Sequence, residues 1–156
     1  YDIASLLMYR TIENILAYTI KDKYDIDPAE TDFNLIKLTE EKFNEYLQNF
    51  YKEEYYFLSL PKTLGLMNTA IILKEHLNDS LMSDFTLQDL KDVISFRNNL
   101  NYIHGESPGT KNEFEKIKKV TRNLLDSLFK QVQYEKNLDD YGNIFNFLDL
   151  NNLKNI

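Results

Sequence analysis

Cysteine is absent from this 156-residue chain. That removes disulfide scaffolds, thiolate metal sites and cysteine nucleophiles together, and it suits a reducing compartment, so a cytoplasmic protein is expected. Glycine and proline are scarce, with four and three residues, which argues against a loop-rich all-β protein and for long, mostly uninterrupted helices. No apolar run approaches the roughly 18 to 20 residues that span a bilayer, and no basic-then-apolar leader is seen. The reading is therefore a soluble protein. The chain opens at Tyr1 and runs straight into IASLLMYRTIENIL, so a domain cut from something longer is expected. Basic residues are outnumbered, 18 Lys and Arg against 25 Asp and Glu, for a net charge of −7. A constitutive nucleic-acid binder, whose affinity comes from cations on phosphates, is disfavoured; an enzyme that holds RNA briefly is not.

What the chain does have is helical periodicity. Apolar residues make up 43% of it, enough to build a sizeable core in a single domain. In the first helix, residues 2 to 23, Met8, Ile12, Ile15, Leu16, Thr19 and Ile20 fall on one broad face. Pro28 and clustered acids then mark a connection through residues 24 to 38. Thr39 caps a second helix bearing Phe43, Leu47 and Phe50, which runs into the aromatic YKEEYYFL, read as core and dimer packing. Pro61 suits the first turn of a third helix carrying Leu64, Met67, Ile71 and Leu77.

Thr86 and Asp89 in TLQD form a capping box that starts a fourth helix, expected over about 87 to 104, with Gly105 past its end and Pro108 soon after. A fifth, over residues 112 to 134, carries Phe114, Ile117, Leu124, Leu125, Leu128 and Val132. The Asn-rich tail has turn chemistry at Asp140 to Asn143 and no assigned element. The fold class is thus all-α, with about five main helices in residues 1–136 and a tail, 137–156, packing on the domain or on a dimer partner.

The fourth helix carries the chemistry. Val93, Phe96, Leu100 and Ile103 form one apolar stripe, widened by Leu90 and Ile94 in the first half. In the second half the same flank becomes Arg97, Asn101 and His104. Seven residues rotate a helix by about 700° and advance it about 10 Å, so Arg97 and His104 share a face. Arginine offers a fixed fork of donors to a transferring phosphoryl group, and histidine exchanges a proton near neutral pH; together they suit RNA cleavage by the RNA's own 2′-hydroxyl without a metal. On spacing alone such a pair is more often a salt-bridge donor and a satisfied boundary histidine.

Several other features carry less. Lys116, Lys119 and Arg122 belong to a basic segment that suits guidance of RNA or simply the wet face of a helix. Arg10 and Glu13 are spaced as an i,i+3 pair that would flank the cleft or stand as a solvated structural pair. His76 has no second imidazole near it in sequence, so no metal site is expected there. No P-loop, dinucleotide fingerprint or nucleophile elbow is present, and no cofactor is expected.

RNNLNYIHG, residues 97 to 105, resembles the R-x(4-6)-H signature of HEPN ribonuclease domains, with Asn98 as the polar residue that often follows the arginine. Together with the opening LLMYRTIENILAY, the acidic YDIDPAETDF and the run GTKNEFEKIKK, it is similar to the effector half of CRISPR-associated CARF-HEPN ribonucleases of type III systems. The resemblance implies a HEPN helical bundle, a homodimer whose two chains line one cleft, and metal-independent cleavage of single-stranded RNA to a 2′,3′-cyclic phosphate in antiviral defence. It assigns Arg97 to the scissile phosphate, His104 to proton transfer or orientation of the 2′-hydroxyl, and Asn98 to a supporting contact. The wheel adds Asn101. In longer relatives an upstream CARF domain binds cyclic oligoadenylate; no CARF sequence is present in these residues. A stand-alone HEPN toxin paired with an antitoxin, and a non-catalytic HEPN-like dimerisation module, are the alternatives.

Overall fold

The computed structural model describes residues 2–52, 59–99 and 110–131, and among these residues all regular structure is helical. Five α-helices follow in order: α1, Asp2–Tyr24; α2, Glu40–Tyr51; α3, Leu66–Ile71; α4, Leu87–Asn99; and α5, Lys111–Gln131. The expected all-α class is what the structure shows.

Helix α1 is the central staff, packing along α5 and against α3 and α4. The periodic residues expected to face inward do so: Met8, Ile12, Ile15, Leu16, Thr19 and Ile20 are all buried. Thr19 joins an apolar face without cost because its hydroxyl donates to the Ile15 carbonyl, 2.8 Å away, and Thr121 on α5 does the same to Ile117. Phe43 and Leu47 of α2, Leu90, Val93 and Phe96 of α4, and Phe114, Ile117 and Leu124 of α5 complete the core from the other sides. Ile94, Phe50, Leu125 and Leu128 pack half-buried at its edge.

The scarcity of glycine has a structural consequence. Asp25, Lys37, Lys52 and Asn78 adopt the left-handed conformation at helix ends, with φ between 47° and 56°. Each closes a helical segment: Asp25 N–H reaches the Lys21 carbonyl, Lys52 N–H the Gln48 carbonyl, and Asp79 N–H, just past Asn78, the Leu73 carbonyl. Stops that commonly fall to glycine are here made by polar side chains.

One boundary differs from the sequence reading. Helix α3 begins at Leu66 with Gly65 as its N-terminal flanking residue, not at Pro61. Residues 61 to 64 are instead drawn into the connection after α1, where Leu64 N–H donates to the Pro28 carbonyl at 2.8 Å and Thr31 N–H to the Lys62 carbonyl at 3.0 Å. Those bonds engage the backbone that a first helical turn would need. Past Ile71 the helix widens into a π-helical stretch, Ile72–His76, and Lys74 from this stretch donates to the carbonyls of Met82 and Phe85 at 2.8 and 2.6 Å.

The caps on α4 and α5 are matching boxes. Asp89 N–H donates to Thr86 Oγ1 at 3.1 Å, and the Asp89 carboxylate accepts from Thr86 N–H and Oγ1 at 3.0 and 2.6 Å. Thr110 and Glu113 repeat the arrangement on α5. The second box was missed in the sequence although TKNE at 110–113 is the preferred S/T-x-x-E pattern. The hydroxyl bonds hold both carboxylates below their ordinary range, with Lys119 adding to the effect at Asp89 and Lys116 at Glu113. Thr86→Ala and Thr110→Ala are each expected to cost about 1 kcal/mol, read as a lower urea midpoint at unchanged slope.

Candidate functional site

Arg97 and Asn98 lie in the last turn of α4. Arg97 is half-buried, and its guanidinium carbon stands 5.1 Å from the ring centroid of Tyr9 on α1. Tyr9 is 7% exposed, so the ring that meets the half-buried cation is largely withdrawn from water, where cation–π attraction is stronger. Arg97 Nη1 donates to Asn98 Oδ1 at 2.9 Å. Arg97 Nε is buried with no hydrogen-bond partner among the described residues. An orphaned buried donor costs about 1–3 kcal/mol, and native proteins keep few of them. Among the described residues the guanidinium is thus held over the Tyr9 ring and, at one corner, by Asn98.

The surroundings of this pair are charged. Arg10 and Glu13, one turn apart on α1, form an ion pair. Burial and the Glu13 carboxylate push the Tyr9 phenol up, against the opposing pull of Arg97 and Arg10, so its hydroxyl stays protonated. The i,i+3 pairing read from the sequence is therefore made, beside the residue that carries Arg97. Its Arg10 side chain is 59% exposed, so the pair itself adds little stability.

Of the other site residues expected from sequence, His104 and Asn101 lie outside the described residues, as do Leu100, Ile103, Gly105 and Val132, the YYFL aromatics and the tail 137–156. A family model described as the Csm6 HEPN domain matches residues 1–128.

This chain belongs to the Csm6 HEPN domain family. The match supports a CRISPR-associated HEPN nuclease domain. Comparison with curated proteins and with solved structures finds no match.

In this Csm6 HEPN domain Arg97 and two lysines of α5 meet different neighbours. Lys116 and Lys119 line a groove of about 570 Å³ between α4 and α5, which Arg97 does not line. Asp84, Asp89, Asp92 and Glu113 share that groove, so its carboxylates outnumber its lysines. Arg122 is exposed and outside it. The lysines expected to guide RNA thus line a groove that the arginine expected to bind its phosphate does not, because α4 turns Val93, Phe96 and Asn99 toward α5 and Arg97 toward α1.

His76 has a defined role in the packing. Its Nε2 lies 2.8 Å from the Ile36 carbonyl, which can only accept, so Nε2 donates there, and Nδ1 is hydrogen-bonded with the Tyr46 hydroxyl at 3.3 Å. Both ring nitrogens are engaged by the protein. Lys91 lies 5.6 Å from the Phe50 ring and 5.2 Å from the Tyr51 ring, covering the aromatic end of α2. Among the described residues no helix is long and apolar enough to cross a membrane.

Proposed function

We propose that this Csm6 HEPN domain is a metal-independent endoribonuclease acting on single-stranded RNA, the effector part of a type III CRISPR defence protein. The observation that carries the reading is Arg97: a guanidinium held by Tyr9 and Asn98 on a helix of a HEPN domain, with a buried N–H that has no partner among the described residues. Arg97 binds the scissile phosphate and stabilises the charge that develops on its oxygens. The 2′-oxygen of the RNA attacks phosphorus and the 5′-oxygen departs, leaving a 2′,3′-cyclic phosphate and a 5′-hydroxyl. His104, seven residues on from Arg97, moves the proton between these oxygens or orients the 2′-hydroxyl, and Asn98 supports Arg97. Asn101 shares the face expected to meet the substrate.

The proposed active form is a homodimer in which Arg97 and His104 of each chain line one cleft. An exposed stripe on α1 supports it: Ile3 and Leu7 are 67% and 54% exposed on the helix that carries Tyr9. Apolar side chains so placed suit burial against a second copy across a two-fold axis. Cyclic oligoadenylate enters only through an upstream sensor domain, as in the longer relatives.

The test is incubation of the chain with end-labelled single-stranded RNA in EDTA. Cleavage is expected to persist in the chelator, to yield cyclic phosphate ends, and to stop when a 2′-deoxynucleotide replaces the residue 5′ to the cut. Strict dependence on added metal, or cleavage of the all-deoxy strand at a similar rate, would overturn the mechanism.

A further inference from the structure

We infer that Tyr9 is the positioning residue for Arg97, acting through the face of its ring rather than through its hydroxyl. This rests on the ribonuclease reading above and adds to it a residue that neither the R-x6-H spacing nor the helical wheel of α4 points to.

The argument begins with the guanidinium. A planar group on a flexible stem recognises a phosphate well only if its plane and its free edge are already set, because ordering it during binding removes part of the interaction it offers. Two observations bear on how Arg97 is set. Asn98 occupies one Nη1 donor and fixes one corner. That single bond leaves the plane free to swing about it. The Tyr9 ring, 5.1 Å from the guanidinium carbon and itself 7% exposed, supplies the missing constraint. A ring buried this deeply cannot follow a moving cation, so it defines a shelf.

The hydroxyl is not the operative group. No hydrogen bond joins Tyr9 to Arg97 among the described residues, and the contact between them is ring to cation. The ring face engages a guanidinium without consuming any of its N–H donors, so Tyr9 takes none of the donors that a substrate oxygen would need. A carboxylate in the same place would hold Arg97 more firmly and take the donors that the substrate needs. Tyr9 also explains how α1 enters the site: it ties the last turn of α4 to the central helix of the bundle, 88 positions earlier in the chain.

The experiment compares Tyr9→Leu and Tyr9→Phe in the full 156-residue chain, each checked for native melting. Tyr9→Leu is expected to lower the single-turnover cleavage rate about tenfold, the loss of one partly desolvated cation–π contact, with half-saturating RNA changed less than about twofold. Tyr9→Phe keeps the ring and is expected to restore the rate to within about threefold of wild type. In an Arg97→Ala background, read at enzyme excess over long times, Tyr9→Leu is expected to add nothing, because the residue acts only through the arginine. A rate unchanged in a folded Tyr9→Leu protein, equal losses in Leu and Phe variants, or a full additional loss without Arg97 would each overturn the inference.

A second readout does not depend on activity. The Arg97 Nε–H resonance is expected to carry a ring-current shift and slow solvent exchange that survive in Tyr9→Phe and vanish in Tyr9→Leu. If wild-type protein cleaves no RNA, the ribonuclease reading fails while this measurement still decides whether Tyr9 holds Arg97: a resonance indifferent to Tyr9→Leu overturns the positioning role.

Discussion

Replacing Arg97 with alanine should reduce RNA cleavage by about 10²- to 10³-fold, the usual cost of deleting one preorganised donor to a transition-state oxyanion. The loss should fall on the cleavage step more than on RNA affinity, because the charge that Arg97 meets is greatest when the 2′-oxygen and the leaving oxygen share the phosphorus. Lysine should recover only part of it, since a point charge cannot reproduce the planar fork held between Tyr9 and Asn98.

Stability supplies the discriminating measurement. Arg97→Met retains an apolar stem over Tyr9 and removes a buried N–H that has no partner among the described residues. Removing that donor offsets the loss of the cation–π contact and of the Asn98 bond, so the protein should melt within about 1 kcal/mol of wild type. Loss of activity with retained stability is what a functional arginine predicts. A non-catalytic module that keeps Arg97 as a structural contact predicts the reverse, a less stable protein with no cleavage to lose. Cleavage that survives both Arg97→Ala and His104→Ala would remove these residues from the mechanism altogether.

The largest stability effect should come from Asp79, far from Arg97 in sequence and outside any motif. Its side chain is 2% exposed and collects four donors from three elements. Tyr24 Oη donates at 2.7 Å from the end of α1, Leu81 N–H at 2.8 Å from the following 3₁₀ turn, Lys23 Nζ at 3.0 Å, and Gln131 Nε2 at 3.3 Å from the end of α5. Gln131 also donates to Ser80 Oγ at 2.7 Å. Burial alone would raise the Asp79 pKa, but the bonds from Tyr24, Leu81, Lys23 and Gln131 outweigh it and hold the carboxyl below its ordinary value. Burial and the same carboxylate drive the Tyr24 phenol well above its usual range.

Asp79→Ala strands the Tyr24 hydroxyl and the Leu81 N–H and leaves Lys23 without its anion. The expected cost is about 3 kcal/mol, which for a domain of this size lowers the melting midpoint by about 6–12 °C. The pH dependence has a definite sign. A carboxyl whose folded pKa is depressed contributes stability that is fully present above its unfolded value, about 3.9, and is lost as pH falls through the folded value. The gap between wild type and Asp79→Ala in urea titrations should thus be full at pH 7 and shrink below about pH 3.9. Asp27, Asp89 and Glu113 also have depressed values, but they are common to both proteins and cancel in the difference. A gap that stays constant down to pH 2 would mean that the Asp79 charge contributes nothing.

Much of the scaffold was legible along the chain because helices are written locally. The inward face of α1 follows from residues three and four apart, and Thr39 and Thr86 announce helix starts through bonds that reach three residues or fewer. Pro61 misled for a related reason: it favours a first helical turn, but the backbone beside it is taken by Pro28 and Thr31, partners about thirty positions away that no local pattern encodes. Arg97 was visible as a polar residue on the flank of an apolar stripe. That stripe could not say what the flank met.

The amino-acid sequence by itself determined that this chain is an all-α bundle, where most of its helices begin, which faces they bury, and that one arginine stands where an apolar residue would otherwise continue. Only the tertiary structure decided that α4 turns this arginine onto Tyr9 of α1 and away from the lysines of α5, and that Asp79 gathers the ends of α1 and α5. The physical reason is that periodicity fixes the apolar face of each helix relative to its own axis, whereas the neighbour that a flanking polar group meets depends on how the helices are rotated and placed beside one another.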